Sequence, residues 1–496
     1  PLVEATIPEV QAAIREGRTT CRLVVQGYLD RIEAYDARIN AVTEVNPRAL
    51  ATADSIDAAL AAGEAPGALF CVPMLVKDNF DTHDMVTTGG SVALLNSVPP
   101  DDAFMVRRIR EAGAVVLAKT NLAEWAFTAQ QTVSSAYDTT RNAYALDRVP
   151  AGSSGGTASG VAASLGLIGL GSDTGNSIRG PSSHLALVGI RSTLGLTSRD
   201  GVIPLSFDRD VAGPMGRTVA DVARVFDVVA GYDPADPYTE LGRGRREADY
   251  TAFLDSAGLE GARIGVFLPL VEAEDADPEI RALFDAAVAD LRRLGAEVTE
   301  VDMDLEAELS RPGLFCRRFR YDIWRYTGTL TKPPFRDVNL VLETGQYHPH
   351  AERSLRRFAE APLDVPPGEW DPPCPDYAEH PGRQAFLGAV TAVMDDAGLD
   401  ALVYPTWLNP PAHLDRASEE YRGDNSQRLA PATGMPALTV PMGFSHGNLP
   451  AGLQFAGRPY SEGTLFRLAY AYEQGTRHRR PPEGFDELAS AAEGVR

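Results

Sequence analysis

From Phe70 onward, short apolar runs at 72–76, 115–118 and 168–170 alternate with longer amphipathic stretches such as 103–112. Runs this short and apolar read as buried strands, and the stretches between them as helices. Strands and helices that alternate along a chain bury their apolar faces against each other, so the pattern predicts an α/β sheet domain. Residues 7–60 read instead as helices, with Val10, Ile14, Leu23, Val24, Tyr28 and Ile32 at three-to-four spacing. Residues 232–250, rich in Asp, Pro, Gly and Arg, read as a surface connection. Strands are expected at 264–267, around 296–301 and at 401–405, with a helix over 278–294. Residues 305–400 read as irregular and proline-rich, with an aromatic cluster of Leu314, Phe315, Phe319, Tyr321, Trp324 and Tyr326.

No repeat period or low-complexity tract interrupts this order. One large domain is expected: an N-terminal helical layer (1–65), a core (66–240), a variable insert that shapes a substrate cleft (241–400) and a C-terminal return to the core (401–496). With 496 residues, 44% of them hydrophobic, a large buried core is available.

Charge narrows the partners. The formal net charge of −22 gives a surface that repels phosphate and gains nothing from counterion release, which argues against nucleic acid or an anionic membrane as partner. Small neutral or cationic substrates remain. No apolar run reaches the ~18 residues of a spanning helix. Residues 1–20 carry Glu4, Glu9, Arg15 and Glu16 and no signal-peptide apolar stretch, so a cytoplasmic location is the default expectation.

Of the 46 basic residues only Lys77, Lys119 and Lys332 are lysine. Arginine keeps its proton in proteins whereas a desolvated lysine can lose it, so each lysine is a candidate for amine chemistry. Cys21, Cys71, Cys316 and Cys374 are widely spaced, with no CxxC and no histidine cluster, and neither a disulfide framework nor a zinc site is expected. The eight histidines include His348 and His350 around Pro349, read as a solvated loop, and no HExxH.

The densest chemical signal is the Gly/Ser-rich tract 151–160 followed by 169–181. A phosphate-binding loop requires a Gly-Lys dipeptide, and the chain contains none; Gly169 and Gly171 open a GxGxxG whose sixth position is Thr174. Gly152, Ser154 and Gly156 formally satisfy GxSxG, the nucleophile elbow, with Ser154 as nucleophile and an Asp and His413 or His446 to complete a triad. Any Gly/Ser-rich loop meets that pattern easily. The third reading uses lysine as the base. Lys77 ends an apolar run, where desolvation lowers an amine from ~10.4 towards neutrality and makes it a proton acceptor for a serine.

The ordered motifs Lys77-Asp78-Asn79, Thr87 to Ser91, Lys119-Thr120-Asn121, Gly152 to Gly156 and Gly171 to Arg179 resemble the amidase signature family. The resemblance resumes at Ala432 to Pro436, Val440 to Gly443, Leu449 to Gln454 and Gly457 to Pro459, and covers residues 240–400 only loosely. It implies a mixed central β-sheet between helical layers. It also implies a triad of Lys77, Ser153 and Ser177, with Ser153 held through a cis peptide bond. On that resemblance Ser177 attacks an amide carbonyl, Ser153 takes its proton and passes another to neutral Lys77, and water hydrolyses the acyl-enzyme. The backbone N–H groups of Thr174, Gly175, Asn176 and Ser177 are expected to form the oxyanion hole, each donor contributing ~3 kcal/mol.

Asn176 departs from the family, which usually has glycine there. Its tolerance of a left-handed backbone is expected to preserve the turn, while its side chain narrows the acyl pocket or adds a donor. Ala151 in place of a glycine, and the segment 189–193, are milder departures. Ser154 is expected in a supporting hydrogen bond and Asp173 with Arg179 in a structural ion pair. Lys119 is expected to be structural, Lys332 a loop residue and Cys316 a packed small hydrophobe. Trp125, Ala126, Phe127 and Cys316 are expected to line the cleft with part of the aromatic cluster, selecting a small apolar or aryl acyl amide. No metal or cofactor is expected, the partner is a small-molecule amide or carbamate, and the chain is a monomer or homodimer. Carbamate or ester hydrolysis is the nearest alternative, and an amidotransferase component of a tRNA-dependent complex is the other.

Overall fold

The structure, a computed structural model, describes residues 1–488. Among these residues the strands are β1 (Val42–Val45), β2 (Pro73–Lys77), β3 (Val115–Thr120), β4 (Val133–Ser134), β5 (Asp138–Thr139), β6 (Ile168–Asp173), β7 (Val188–Arg191), β8 (Val211–Gly216), β9 (Arg263–Phe267), β10 (Glu297–Val301), β11 (Ala401–Pro405), β12 (Ala437–Ser445) and β13 (Leu449–Ala456). Strands β4 and β5 pair by themselves. The other eleven form one sheet in the order β1-β3-β2-β6-β8-β7-β12-β13-β11-β9-β10.

That sheet is mixed. The run β3-β2-β6 is parallel, as is β11-β9-β10, while the strands between them pair antiparallel around the hairpin β12–β13. Strands β2, β3, β6 and β11 are buried at every residue. This is what continuous apolar runs covered on both faces produce. The α/β reading therefore holds, and the mixed sheet implied by the resemblance is present.

The covering helices obey the same logic. Pro278–Arg293 buries Ile280, Phe284, Ala287, Val288 and Leu291 on one face, and Asp277 caps it through the backbone N–H groups of Glu279 and Ile280. The helix Gly155–Ala162 is buried at all its residues, and its small side chains let it lie close over β2 and β6. A second, smaller apolar cluster gathers Trp125, Ile203, Phe319, Ile323, Tyr326, Phe335 and Phe358 beside the main core.

Four expectations need correction. Within 7–60 the helices Ile7–Arg15, Cys21–Ile39 and Ala49–Ala61 form, but Val42–Val45 is the sheet's edge strand, antiparallel to β3. The segment 305–400 is about half helical, with Phe319–Thr327, Pro349–Phe358 and Pro381–Asp396 as its longest helices and irregular chain between them. His348 is the N-cap of Pro349–Phe358 and accepts the His350 N–H on Nδ1, so this pair opens a helix. The cysteines pair as Cys21–Cys71 and Cys316–Cys374, with Cα separations of 5.5 and 5.9 Å. Partners 50 and 58 residues apart leave no local spacing signal, so folding alone brings them together.

Candidate active site

Strand β2 delivers Lys77 from its last position into a fully enclosed polar pocket. Nζ lies 2.7 Å from Ser153 Oγ, 2.9 Å from Ser172 Oγ and 3.5 Å from the Ser172 carbonyl oxygen. Asn79 Nδ2 donates to the same Ser172 Oγ at 2.9 Å. Burial lowers Lys77 to about 7, against the opposing pull of the Asp173 and Asp210 charges. The amine therefore exchanges its proton near neutral pH.

Ser153 sits in a loop pressed onto its surroundings. Its peptide bond to Gly152 is cis. A Cβ on Gly152 would stand 2.5 Å from the carbonyl oxygens of both Thr128 and Gln131, and one on Gly156 would stand 2.3 Å from that of Asn121. Only glycine lets the backbones approach this closely. The Ser153 carbonyl accepts the Ala123 N–H at 3.0 Å, and Ser154 Oγ donates to the Ser172 carbonyl at 3.2 Å. Ala151 holds φ +62°, a region where a glycine costs less than alanine.

The turn after β6 carries Ser177. Asp173 accepts from Arg179 Nε and Arg191 Nη1 at 3.1 and 3.0 Å, and from the Ile178 N–H at 3.1 Å. Burial alone would raise this carboxyl, but the two guanidiniums outweigh it and hold it at about 2. Thr174 Oγ1 donates to Asp210 at 2.5 Å, and Arg179 Nη2 to the Gly175 carbonyl at 2.8 Å. The turn is thus tied down through its side chains and carbonyls. Among the hydrogen bonds of the described residues none is donated by the backbone N–H of Gly175, Asn176 or Ser177. Neither Gly175 nor Asn176 has a positive φ, so the left-handed conformation expected of Asn176 is not adopted, and asparagine imposes no backbone strain there. Ser177 Oγ donates to Asn176 Oδ1 at 3.3 Å, and no hydrogen bond joins it to Ser153.

The amidase family model matches residues 23–466. The chain belongs to the amidase family. It is 32% identical to a probable amidase of Arabidopsis thaliana, over 97% of this chain and 91% of that one. It is 35% identical to a glutamyl-tRNA(Gln) amidotransferase subunit of Moorella thermoacetica, over 92% and 93%. The solved structure of the peptide amidase of Stenotrophomonas maltophilia superposes with a TM-score of 0.85 at 37% identity, covering 97% of this chain and 99% of that one. This amidase-family enzyme is therefore a hydrolase or an amidotransferase.

The other candidates separate cleanly. Lys119 Nζ lies 3.1 Å from Asp78 and donates to the Phe80 and Val86 carbonyls and to Thr87 Oγ1, while Lys332 is exposed in a loop. The elbow reading has no histidine to work with: His413 pairs with Glu420 and His446 with Asp277, and neither bonds Ser154. Among the described residues, metal-like spacing occurs at His83, Asp84 and Asp102, but Arg110 already bridges both carboxylates at 2.7 and 3.1 Å.

Trp125 and Phe127 pack against the aromatic segment in a buried cluster. The Trp125 ring stands edge-on to Phe319 and Phe335 at 5.8 and 6.2 Å, and Phe127 meets Phe319 at 4.6 Å and stacks on Phe358 at 5.5 Å. Ala126 is buried beside them, and both it and Trp125 have positive φ. The helix Phe319–Thr327 turns Phe319, Ile323 and Tyr326 inward, at helical spacing, while Tyr321 and Trp324 pack on each other outside that cluster. Cys316 is a correction: its sulfur is bonded to Cys374, and its carbonyl accepts from Ser206 Oγ at 3.3 Å. It is not a free lining side chain.

Five further residues shape the site without having been singled out by the sequence. Ser172 and Asn79 complete the Lys77 pocket, and both lie inside the family motifs. Asp210 anchors Thr174, and Gln427 and Trp407 wall the turn at Gly175 and Gly180. Nothing local in the sequence marks these last three, because each arrives from a distant segment.

Proposed function

We propose that this amidase-family enzyme is a serine amidohydrolase that cleaves a carbon–nitrogen amide bond through an acyl-enzyme on Ser177. The observation that carries this reading is the fully buried Lys77, lowered to about 7 and hydrogen-bonded to Ser153. A neutral amine keeps two N–H donors for the Ser172 oxygens and turns its lone pair to the Ser153 hydroxyl. Ser153 then accepts the Ser177 proton while giving its own to Lys77, and Ser177 Oγ bonds the carbonyl carbon. The return of that proton to the nitrogen expels the amine. Water, activated along the same path, hydrolyses the ester. The free N–H groups of the 175–177 turn suit the developing oxyanion.

The aromatic cluster around Trp125 supports a small apolar or aryl acyl amide as substrate, and the likeness to the peptide amidase extends the candidates to peptide C-terminal amides. Carbamates and esters offer the same carbonyl. The identity to a component of an amidotransferase supports a second reading, which the −22 charge disfavours for contact with tRNA. The two disulfides favour an oxidising compartment over the cytoplasmic default.

A fluorophosphonate probe with the adduct mapped by mass spectrometry tests the nucleophile: labelling at Ser177 is expected, and labelling at Ser154 would overturn the reading. Turnover of amides, anilides, esters and carbamates by the chain alone in gel-filtration fractions separates a self-sufficient hydrolase from a component that needs partners.

A further inference from the structure

Asn176 lies next to the nucleophile, yet nothing in the backbone requires it. Its φ is not positive, so a glycine-like conformation is not the reason for an asparagine at this position. The side chain is 2% exposed, and its two polar atoms have different fates. Oδ1 accepts the Ser177 hydroxyl at 3.3 Å, whereas Nδ2 is buried without any hydrogen-bond partner. A buried donor left unpaired costs about 1–3 kcal/mol, so its retention beside a reactive serine points to a ligand that completes it.

The surroundings hold that donor close to the Ser177 hydroxyl. Oδ1 and Nδ2 share one planar carboxamide, which puts Nδ2 within about 6 Å of Ser177 Oγ. Gly180 faces it: a Cβ there would stand 2.7 Å from Nδ2 and 3.2 Å from Trp407 Cζ3. The Trp407 indole forms the wall beyond, with the buried His184 ring 4.4 Å away and its Nδ1 also unpartnered. A donor in that position cannot reach past the acyl-enzyme to a distant substrate group. It can reach an acceptor close to the reacting carbonyl.

We propose that Asn176 is a specificity-determining residue whose Nδ2 donates to an oxygen acceptor on the substrate two or three bonds from the scissile carbonyl, so that the enzyme selects α-oxy or β-carbonyl acyl amides over their purely aliphatic isosteres. This rests on Ser177 being the nucleophile. Binding of such a substrate pairs the orphan donor, and Oδ1 releases the Ser177 hydroxyl to Ser153 as the carbonyl arrives. A purely aliphatic acyl group leaves Nδ2 unpaired, as it already is in the free enzyme, so the hydrogen bond gained by the oxygen-bearing acyl group is what discriminates.

The test compares methoxyacetyl and butyryl anilides, which match in shape and differ in one ether oxygen. Their intrinsic reactivity difference cancels when variants are compared with the wild type. Asn176→Gly, the residue common in the family, and Asn176→Ala are expected to lower the methoxyacetyl-to-butyryl ratio of kcat/KM about tenfold. The loss should fall mainly on the methoxyacetyl substrate. Asn176→Ser, which restores a short donor, is expected to recover part of it. Fluorophosphonate labelling of Ser177 in each variant reports whether the site is assembled. Labelled variants with an unchanged ratio would overturn the proposal, leaving Nδ2 to the face of Trp407. Absence of Ser177 labelling in the wild type would instead overturn the nucleophile assignment beneath it.

Discussion

Two buried lysines on adjacent parallel strands show what separates an amine held in an ion pair from one that burial drives towards neutrality. Lys77 ends β2 and Lys119 lies on β3 opposite Val76, and both are fully enclosed. The Lys119 pocket supplies a carboxylate, Asp78 at 3.1 Å, and more oxygen acceptors than an ammonium has protons. The Lys77 pocket supplies serine oxygens, and the charges that favour its protonation, Asp173 and Asp210, are engaged with Arg179, Arg191 and Thr174. Burial is common to the two. The difference is a contacting counter-ion: with one, the pocket holds an ion pair, and without one, desolvation prevails and the amine can be neutral.

The largest expected effect breaks the comparison at its reactive side. Lys77→Ala should lower kcat by about three orders of magnitude or more while thermal unfolding stays cooperative. Lys77→Arg should fail equally, because arginine stays charged and cannot accept the proton. Wild-type turnover in either variant would remove lysine from the mechanism.

At the structural side the cost should appear in stability. Lys119→Met leaves the Asp78 carboxylate buried without its partner, which typically costs about 3–5 kcal/mol, read as a lower urea midpoint at unchanged slope. Converting Asp78 to Asn in the same variant should restore part of it. A Lys119→Met enzyme of full stability but without turnover would reverse the roles assigned to the two pockets.

This contrast is only partly legible in the sequence. Lys77 and Ser153 can be matched through their motifs, and β2, β3, β6, β9 and β11 are visible because their apolar runs face the core, while β10, an edge strand without a buried residue, is marked by its place after the helix Pro278–Arg293. β1 is not, since Val42-Thr43-Glu44-Val45 pairs on one side only and keeps polar residues at the sheet's edge. The helix Pro349–Phe358 is hidden because Ala351, Leu355 and Phe358 carry its apolar face within a strongly charged stretch. Asp78 belongs to a recognisable motif, yet its role as the Lys119 counter-ion depends on how β2 and β3 lie side by side. Trp407, Gln427 and Asp210 reach the site from segments far along the chain, as the disulfide partners reach each other. Contacts of that kind carry no local pattern.

The pH dependence sharpens the comparison further. With Lys77 lowered from 10.5 to about 7, kcat/KM should fall about tenfold per unit below pH 7 and level off above it, as the neutral amine becomes the dominant form. Stability should move the same way. Between about 7 and 10.5 the unfolded chain binds the proton that the folded pocket rejects, so stability rises with pH across that window and the penalty is fully present below it. Lys77→Met should remove that slope from the difference between variant and wild type. A kcat/KM that is flat from pH 5 to 9 in the wild type would mean that no neutral amine is needed.

The third lysine sets the scale for an amine that meets neither condition. Lys332 is exposed in the loop before Pro333 and Pro334, and among the described residues it forms no ion pair. An ammonium in water is already solvated, so neither a counter-ion nor desolvation acts on it. Lys332→Ala should therefore change stability by less than about 0.5 kcal/mol and leave kcat/KM within about twofold of the wild type. Its loop does carry Phe335 into the aromatic cluster beside Trp125, which gives the variant a use as a control. If Lys332→Ala altered the relative rates on aryl and small amides, the loop would be acting on the cleft through Phe335. Burial would then no longer be what distinguishes the lysines that matter here.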